Sequence, residues 1–485
     1  MDIYATSSSM NLLNSFSTTQ IYLAAGIVAL ILFLWSFFNW RAAVKVAFLA
    51  AIFEGAIRKW VVPQAHELAY FLKDIFLAGA YCRFFLFPDI ATRARKLVFS
   101  NLLIILVPAF LLIWIVNGNI GSLLVGLVGW KGYVYYLPLI FIVPHVFRNH
   151  DDLQKNLGIY SLIAIPVCLL GIVQFFSPSD SIINTYAADA ASGEALSRGI
   201  LGGGRFTRIT GTFSYLTGMS TFVFVFTSLS LVIITAPAPK FQRTNIFIVL
   251  PLLLTAGFMT GSRLTVFSQF ITIMGFLLAS SPYKFNQKGS AALKLFLVLA
   301  FGFGISSIFF GEARSAFYQR LRGDGDTINR IIAPFKSVID AAAEAGPFGY
   351  GIGVSQGTSV AMRKFLKTPE PKESPQLYYE SEPAQVLLEI GLVGFLCWYA
   401  LRIYLVFALW KLLRHLADIY KPLCFSVLII HILHLYAQTV LNHTANFLIF
   451  GLYGIVLFPL LQIRGMNKTM RNVPPAPHRR ISRST

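Results

Sequence analysis

Ionisable side chains inside apolar segments mark the first places where this chain could do chemistry, because a charge in hydrocarbon persists only beside a partner or a cavity. Glu54, Arg58 and Lys59 lie in Phe53-Glu54-Gly55-Ala56-Ile57-Arg58-Lys59-Trp60, with Glu54 and Arg58 spaced for one helix face. Lys73 and Asp74 are adjacent in the following apolar run, and Lys131 sits in Gly129-Trp130-Lys131-Gly132-Tyr133. Two accounts fit. Glu54 with Arg58 and Lys73 with Asp74 could pair within their own helices for packing alone, with Lys131 reaching to the interface. Alternatively, the shared depth of these groups, all in the halves of their runs that face one side, implies a hydrophilic cavity open to that side.

Further cations gather towards the same side: Arg205, Arg208, Arg263, Arg320, Arg322 and Arg330 join Arg58, Lys59 and Lys131. The planar guanidinium fork matches the oxygens of a diphosphate, so the expected ligand is anionic, and a charged headgroup on an apolar tail fits a membrane site best. Downstream, Tyr378-Tyr379-Glu380-Ser381-Glu382-Pro383 leads into an apolar run. Pro383 suits the first helical position and Ser381 or Glu382 its cap, while Glu382, Gln385 and Glu389 are spaced to form a polar stripe on one face. The run Gly346-Pro347-Phe348-Gly349-Tyr350-Gly351-Ile352-Gly353 could cradle a phosphate, but no strand precedes it, which favours a turn that packs backbone closely. His431, His434 and His443 lie near Asn442 and Asn446 without a carboxylate triad, which favours hydrogen bonding between helices over a metal site.

The elements that must position these groups are spanning helices. Of 485 residues, 56% are hydrophobic and 13% charged, against roughly a quarter charged in an ordinary soluble domain. Apolar runs of about twenty residues recur, the length a helix needs to cross the hydrocarbon layer, and no alternation with period two suggests a barrel. The expected fold is all-α, with about 12–13 spans beginning near Ile21, Ala42, His66, Leu97, Ile120, Asn156, Phe213, Ile246, Leu264, Ala292, Pro383, Leu423 and Thr444. This divides the chain into a polar N-terminus (1–20), helices (21–176), a loop (177–212), helices (213–310), a large loop (311–382), helices (383–463) and a basic tail (464–485).

Arg41 and Lys45, Arg93 with Arg95 and Lys96, Arg148 with Lys155, Lys240 with Arg243, Lys284 with Lys288, and Lys411 with Arg414 and Lys421 fall on alternate connections. That places the N-terminus outside, the C-terminus in the cytoplasm and the two long loops outside. The N-terminal stretch lacks the basic region of a signal peptide, so no cleavage is expected. The net charge of +19 follows from basic connections, and no motif points to nucleic acid. The four cysteines are widely spaced in apolar segments and imply neither a zinc site nor a disulfide framework.

Several short motifs, in order, resemble the O-antigen ligase and O-antigen polymerase superfamily: Arg208-Ile209-Thr210-Gly211-Thr212-Phe213, Gly261-Ser262-Arg263, Asn329-Arg330 leading to Pro347 through Gly353, and Gln385 through Gly394. The Glu54 to Trp60 segment is similar to a feature of exopolysaccharide-associated members. The resemblance implies a GT-C-like transmembrane bundle with a large periplasmic loop in the bacterial inner membrane. Its substrates would be a polyprenyl-diphosphate-linked glycan and an acceptor glycan, with partners in a polysaccharide assembly system. It also implies metal-independent transfer with no cofactor: an acceptor hydroxyl attacks the anomeric carbon and the polyprenyl diphosphate leaves. Arg208, Arg263 and Arg330 would hold the diphosphate, with Arg205 and Lys131 as lesser ligands, and Glu380 and Glu382 compete as the base. Many members carry His-Asn where this chain has Glu380-Ser381, which tilts the expectation from ligase to polymerase. A transporter of lipid-linked oligosaccharide or another organic anion and a non-catalytic scaffold remain alternatives, although no internal repeat of the transporter kind is visible.

Overall fold

The computed structural model describes residues 18–62, 69–88, 103–117, 119–185, 200–201, 206–235, 239–279, 327–369, 381–416, 420–436 and 442–471, with the single positions 304, 311, 315 and 318. Among these residues helices joined by turns and loops predominate, and the strands form an antiparallel ladder in which β1 (Ile200–Leu201) pairs with β2 (Phe206–Thr207). The helices are α1 (Thr18–Phe38), α2 (Trp40–Ala56), α3 (Leu72–Tyr81), α4 (Leu103–Leu111), α5 (Leu123–Val134) and α6 (Leu139–Ile142). They continue as α7 (His150–Leu162), α8 (Ala164–Phe176), α9 (Leu216–Thr235), α10 (Pro239–Thr244), α11 (Leu250–Met259) and α12 (Arg263–Ala279). The last are α13 (Thr327–Ala345), α14 (Gly357–Leu366), α15 (Glu382–His415), α16 (Lys421–Leu433) and α17 (His443–Arg471).

Among the described residues, 5 helices are long and apolar enough to cross a membrane: His150–Phe176, Leu216–Ile234, Phe241–Met259, Glu382–His415 and His443–Leu461. The pair Leu123–Val134 and Leu139–His145, bent by 45°, makes up to 6, and Leu23–Phe38, Leu103–Val116 and Lys421–Leu433 are shorter apolar helices. The expected all-α, polytopic architecture is therefore what the chain adopts. The expected starts at His66, Leu97 and Ala292 lie outside the described residues.

Helix α9 runs through the middle, packed against α11, α12, α16 and α17. The region expected as one large loop, 311–382, contains α13 and α14. Helix α13 carries Arg330 and ends at Ala345, just before the glycine run. This helix is amphipathic: Val338, Ala341, Ala342 and Ala345 pack on Ala384, Leu387 and Leu388 of α15, while Phe335 and Ile339 face outwards.

Helix α15 is not straight. At Gly391 the backbone turns to φ 64°, ψ −175°, a conformation essentially reserved for glycine. Glu382 Oε1 and Arg402 Nη1 nevertheless meet at 2.9 Å across 20 residues of sequence. An unbroken helix would hold them about 30 Å apart, so the short half Glu382–Ile390 folds back along the longer half that follows.

Candidate functional site

The last turns of α2 carry the first basic group. Past Ala56 the helix widens into a π turn, Ile57–Val61, a local change of register often found where a helix must re-aim side chains. Here Arg58 donates from Nη1 to Ser214 Oγ at 3.2 Å and Lys59 from Nζ to Thr210 Oγ1 at 2.9 Å. Both partners sit on the loop 208–214. The loop reaches this close because Gly55 has no side chain: a Cβ there would stand 2.4 Å from the Thr212 carbonyl oxygen. Thr212 Oγ1 also donates to the Ile52 carbonyl at 2.6 Å.

Gln174, at the end of α8, fixes the same loop. Its Oε1 accepts the Gly211 N–H at 2.7 Å and the Thr210 N–H at 3.2 Å, and its Nε2 donates to the Gly211 carbonyl at 3.1 Å. The loop's other edge meets the turn between α11 and α12: Ile209 N donates to the Met259 carbonyl at 3.3 Å and Arg208 Nε to the Thr260 carbonyl at 2.8 Å. Ser262 Oγ accepts the Thr265 N–H at 3.3 Å at the start of α12, beside Arg263. Segments 54–59, 208–214 and 260–263 thus converge. Arg58, Arg208 and Arg263 are partly exposed and Lys59 is buried.

Below lies a layer of paired charges. Lys73 Nζ meets Glu54 Oε2 at 2.5 Å, with Arg58 Nη1 at 4.0 Å from Glu54 Oε1. Lys131 Nζ is ion-paired with Asp74 Oδ2, and Tyr136 donates its hydroxyl to Asp74 Oδ1 at 2.7 Å. The pairs therefore run between helices, not between Lys73 and its neighbour Asp74. Glu54, Lys73, Asp74 and Lys131 are all buried and form a polar layer within the helix packing. A carboxylate and an ammonium remain buried together only when geometry and extra hydrogen bonds repay their lost hydration, and Tyr136 supplies one such bond.

Tyr70 and His443 join this layer to the arginines. The Tyr70 hydroxyl contacts His443 Nδ1. Around the Tyr70 ring stand Arg58 at 5.2 Å, Lys73 at 4.6 Å and Lys131 at 4.7 Å from its centroid. His443 opens α17, where Asn442 donates to Thr217 Oγ1 at 2.6 Å and Asn446 to the Gly132 carbonyl at 2.7 Å.

The glycine run wraps the break in α15. Tyr350 N and Gly351 N donate to the Leu388 and Glu389 carbonyls at 2.7 and 2.9 Å, while Leu392 N and Val393 N donate to the Gly346 and Pro347 carbonyls, each at 3.1 Å. The groups orphaned by the broken helix are thus satisfied from both directions. The run is a turn that packs backbone closely. Glu389 lies beside it, fully buried, with Oε2 accepting from Tyr133 at 2.7 Å and Gln356 at 2.9 Å and Oε1 from Ser355 Oγ at 2.7 Å.

Of the expected site residues, Arg208 bonds to the turn that precedes Arg263, and Arg58 and Lys59 bond to the loop that begins at Arg208. Lys131, expected as a lesser diphosphate ligand, is engaged by Asp74. Glu382 is buried against Arg402, and Gln385 is buried on the same short half of α15. Arg330 lies on α13, but its side chain is outside the described residues, as are Arg205 and Glu380 entirely. Sequence reasoning missed Arg402, which as an arginine within an apolar run was as visible as Lys131. It also missed Tyr70, Tyr133 and Tyr136, whose polar roles depend on partners 373, 256 and 62 residues away. Among the described residues no group of three or more His, Cys, Asp or Glu is placed to hold a metal. His434 donates from Nδ1 to the Ile430 carbonyl at 2.7 Å, within its own helix.

Residues 248–399 match the family described as O-Antigen ligase. The match includes the Gly261-Ser262-Arg263 turn, α13, the glycine run and the break in α15, and supports placement in the O-antigen ligase and polymerase superfamily. No curated protein and no solved structure matches the chain.

Proposed function

We propose that this multi-pass membrane protein of the O-antigen ligase and polymerase superfamily is a glycosyltransferase that extends a surface glycan from a polyprenyl-diphosphate-linked donor in the bacterial inner membrane, releasing polyprenyl diphosphate. The observation that carries this reading is the loop 208–214, which begins with Arg208, binds Arg58 through Ser214 and joins the family-matched turn that precedes Arg263. Guanidinium groups held in this way face charge that develops as the sugar leaves its diphosphate, in a setting where nearby hydrocarbon strengthens each contact.

The reaction needs a clamp on the leaving group, a path for the acceptor's proton and room for two glycans. Arg208 is oriented for the first task by its bond to the Thr260 carbonyl, and Arg330 on α13 is assigned to the same clamp. Glu382 is committed to Arg402, so it orders the helix and does not take a proton. Polymerisation is favoured over transfer to a lipid or protein acceptor because Glu380-Ser381 stands where many family members carry His-Asn. The N-terminus is assigned to the outside and the basic tail to the cytoplasm by the distribution of Lys and Arg.

The test is reconstitution of the purified protein with a lipid-linked oligosaccharide, measuring longer glycans and released polyprenyl diphosphate. Turnover that falls by about 10²-fold or more in Arg263→Ala and Arg208→Ala proteins that remain folded supports the clamp. Absence of turnover in the unaltered protein with competent substrates refutes the transferase reading, and normal turnover in both variants refutes the clamp.

A further inference from the structure

Resting on the transferase reading, we infer that Tyr70 and His443 form the proton-accepting dyad of the reaction, with Tyr70 as the catalytic residue that meets the acceptor hydroxyl. The carboxylates described around the arginine cluster are already committed. Glu54 holds Lys73, Asp74 holds Lys131 and a tyrosine hydroxyl, Glu382 holds Arg402, and Glu389 is ringed by Tyr133, Ser355 and Gln356. Tyr70 differs from these groups in three respects.

It is partly exposed, whereas His443 behind it is buried at 3% exposure. Its hydroxyl lies against His443 Nδ1, so a proton arriving at the phenol oxygen can be matched by one leaving for the imidazole. The dyad is also tied to the proposed diphosphate clamp at both ends. Arg58 stands over the Tyr70 ring at 5.2 Å while donating to Ser214, and Asn442, next to His443, donates to Thr217 three residues further along.

The charge around the phenol suits this use. Arg58 stands over the Tyr70 ring at 5.2 Å, and a cation so placed stabilises negative charge as it develops on the phenol oxygen. A nucleophile needs a base within hydrogen-bond reach, and that base a group to receive or share the proton. Tyr70 and His443 supply both.

The step balances as follows. The acceptor oxygen forms its bond to the anomeric carbon as its proton passes to the Tyr70 oxygen, while the phenol proton passes to His443 Nδ1. The bond between the anomeric carbon and the diphosphate oxygen breaks, and its electron pair leaves on the diphosphate. His443 ends the step protonated and returns the proton to the departing diphosphate or to solvent.

The experiment uses the full-length protein reconstituted with a lipid-linked oligosaccharide donor and its acceptor glycan, comparing kcat and KM for Tyr70→Phe, His443→Gln and the double variant. Tyr70→Phe keeps the ring and its packing, and His443→Gln keeps a polar side chain of similar reach. The expected result is a fall in kcat of about 10²–10⁴-fold for each single variant, with the donor KM changed by less than about threefold, and a double variant no slower than the slower single. Retention of kcat within about threefold in Tyr70→Phe overturns the dyad, as do losses that multiply in the double variant. A loss carried by KM instead assigns these residues to binding and equally overturns it. If the unaltered protein shows no turnover, the transferase reading itself fails; if it turns over and the variants match it, only the dyad fails.

Discussion

Replacing Gly391 by alanine tests the broken helix directly. Its φ of 64° with ψ near 180° lies in a region that costs a residue with a side chain about 1–3 kcal/mol. A Cβ would also stand 2.4 Å from the Pro347 carbonyl oxygen and 2.5 Å from Gly349 N. Both obstacles are main-chain atoms held by hydrogen bonds, the Pro347 carbonyl by Val393 N and Gly349 N by the Ala345 carbonyl, so neither can rotate aside, and overpacking of this kind adds about 1–3 kcal/mol. Gly391→Ala should therefore destabilise by about 2–6 kcal/mol from these two contributions together. Two other glycines calibrate the result. Gly346 has φ of 62° but nothing within 4 Å of a Cβ, so Gly346→Ala should cost only the left-handed backbone, about 1–2 kcal/mol. Gly357 has neither a positive φ nor a neighbour, and Gly357→Ala should fall within about 0.5 kcal/mol of the parent. Unfolding of the three variants in matched detergent, followed by helical signal against denaturant, gives the ranking. A Gly391→Ala protein as stable as Gly346→Ala would refute the account of the break.

Other expectations use the same unfolding measurement. Glu382→Gln removes the carboxylate facing buried Arg402 and should cost about 3–5 kcal/mol, whereas replacing both Glu382 and Arg402 by methionine should recover much of that loss; a double variant no better than the single contradicts the pairing. Glu389→Gln turns an amide N–H₂ towards a ring of donors from Tyr133, Gln356 and Ser355, at a cost of about 1–3 kcal/mol, and an unchanged midpoint would show that those bonds matter little. Lys131→Met should destabilise because it leaves buried Asp74 without its ammonium, and Asp74→Asn in the same chain should relieve part of the loss. Equal instability of the single and double variants would argue against that pair.

Composition and periodicity made the helices legible, and local chemistry marked some of their ends. Pro383 does enter α15 in its first turn with Ser381 as the cap residue, and α13 ends where the glycine run begins. The break at Gly391 was hidden because hydropathy is blind to φ: Val386 to Gly394 reads as one apolar run whether the backbone continues or folds back. The charged layer was legible as a group but not in its connections. Spacing along one helix suggested Glu54 with Arg58 and Lys73 with its neighbour, yet the shortest ion pairs join Glu54 to Lys73 and Asp74 to Lys131, contacts that only helix packing creates. Of the arginines read as a diphosphate clamp, Arg208 reaches the turn before Arg263 on a loop whose path depends on Gly55 and Gln174, residues without charge. Tyr70 and His443 carried no signal that a linear reading could join.

The clasp around the broken helix bears on how little information such a device requires. Its four bonds use main-chain atoms alone, from Tyr350, Gly351, Leu392 and Val393 as donors to Leu388, Glu389, Gly346 and Pro347 as acceptors. What the gene must encode there is chiefly an omission, the missing methyl group at positions such as Gly349 and Gly391, where backbone meets backbone. The surrounding side chains can change while the joint keeps its shape. A joint secured in this way leaves only a sparse punctuation of glycines for a reader of the sequence to find.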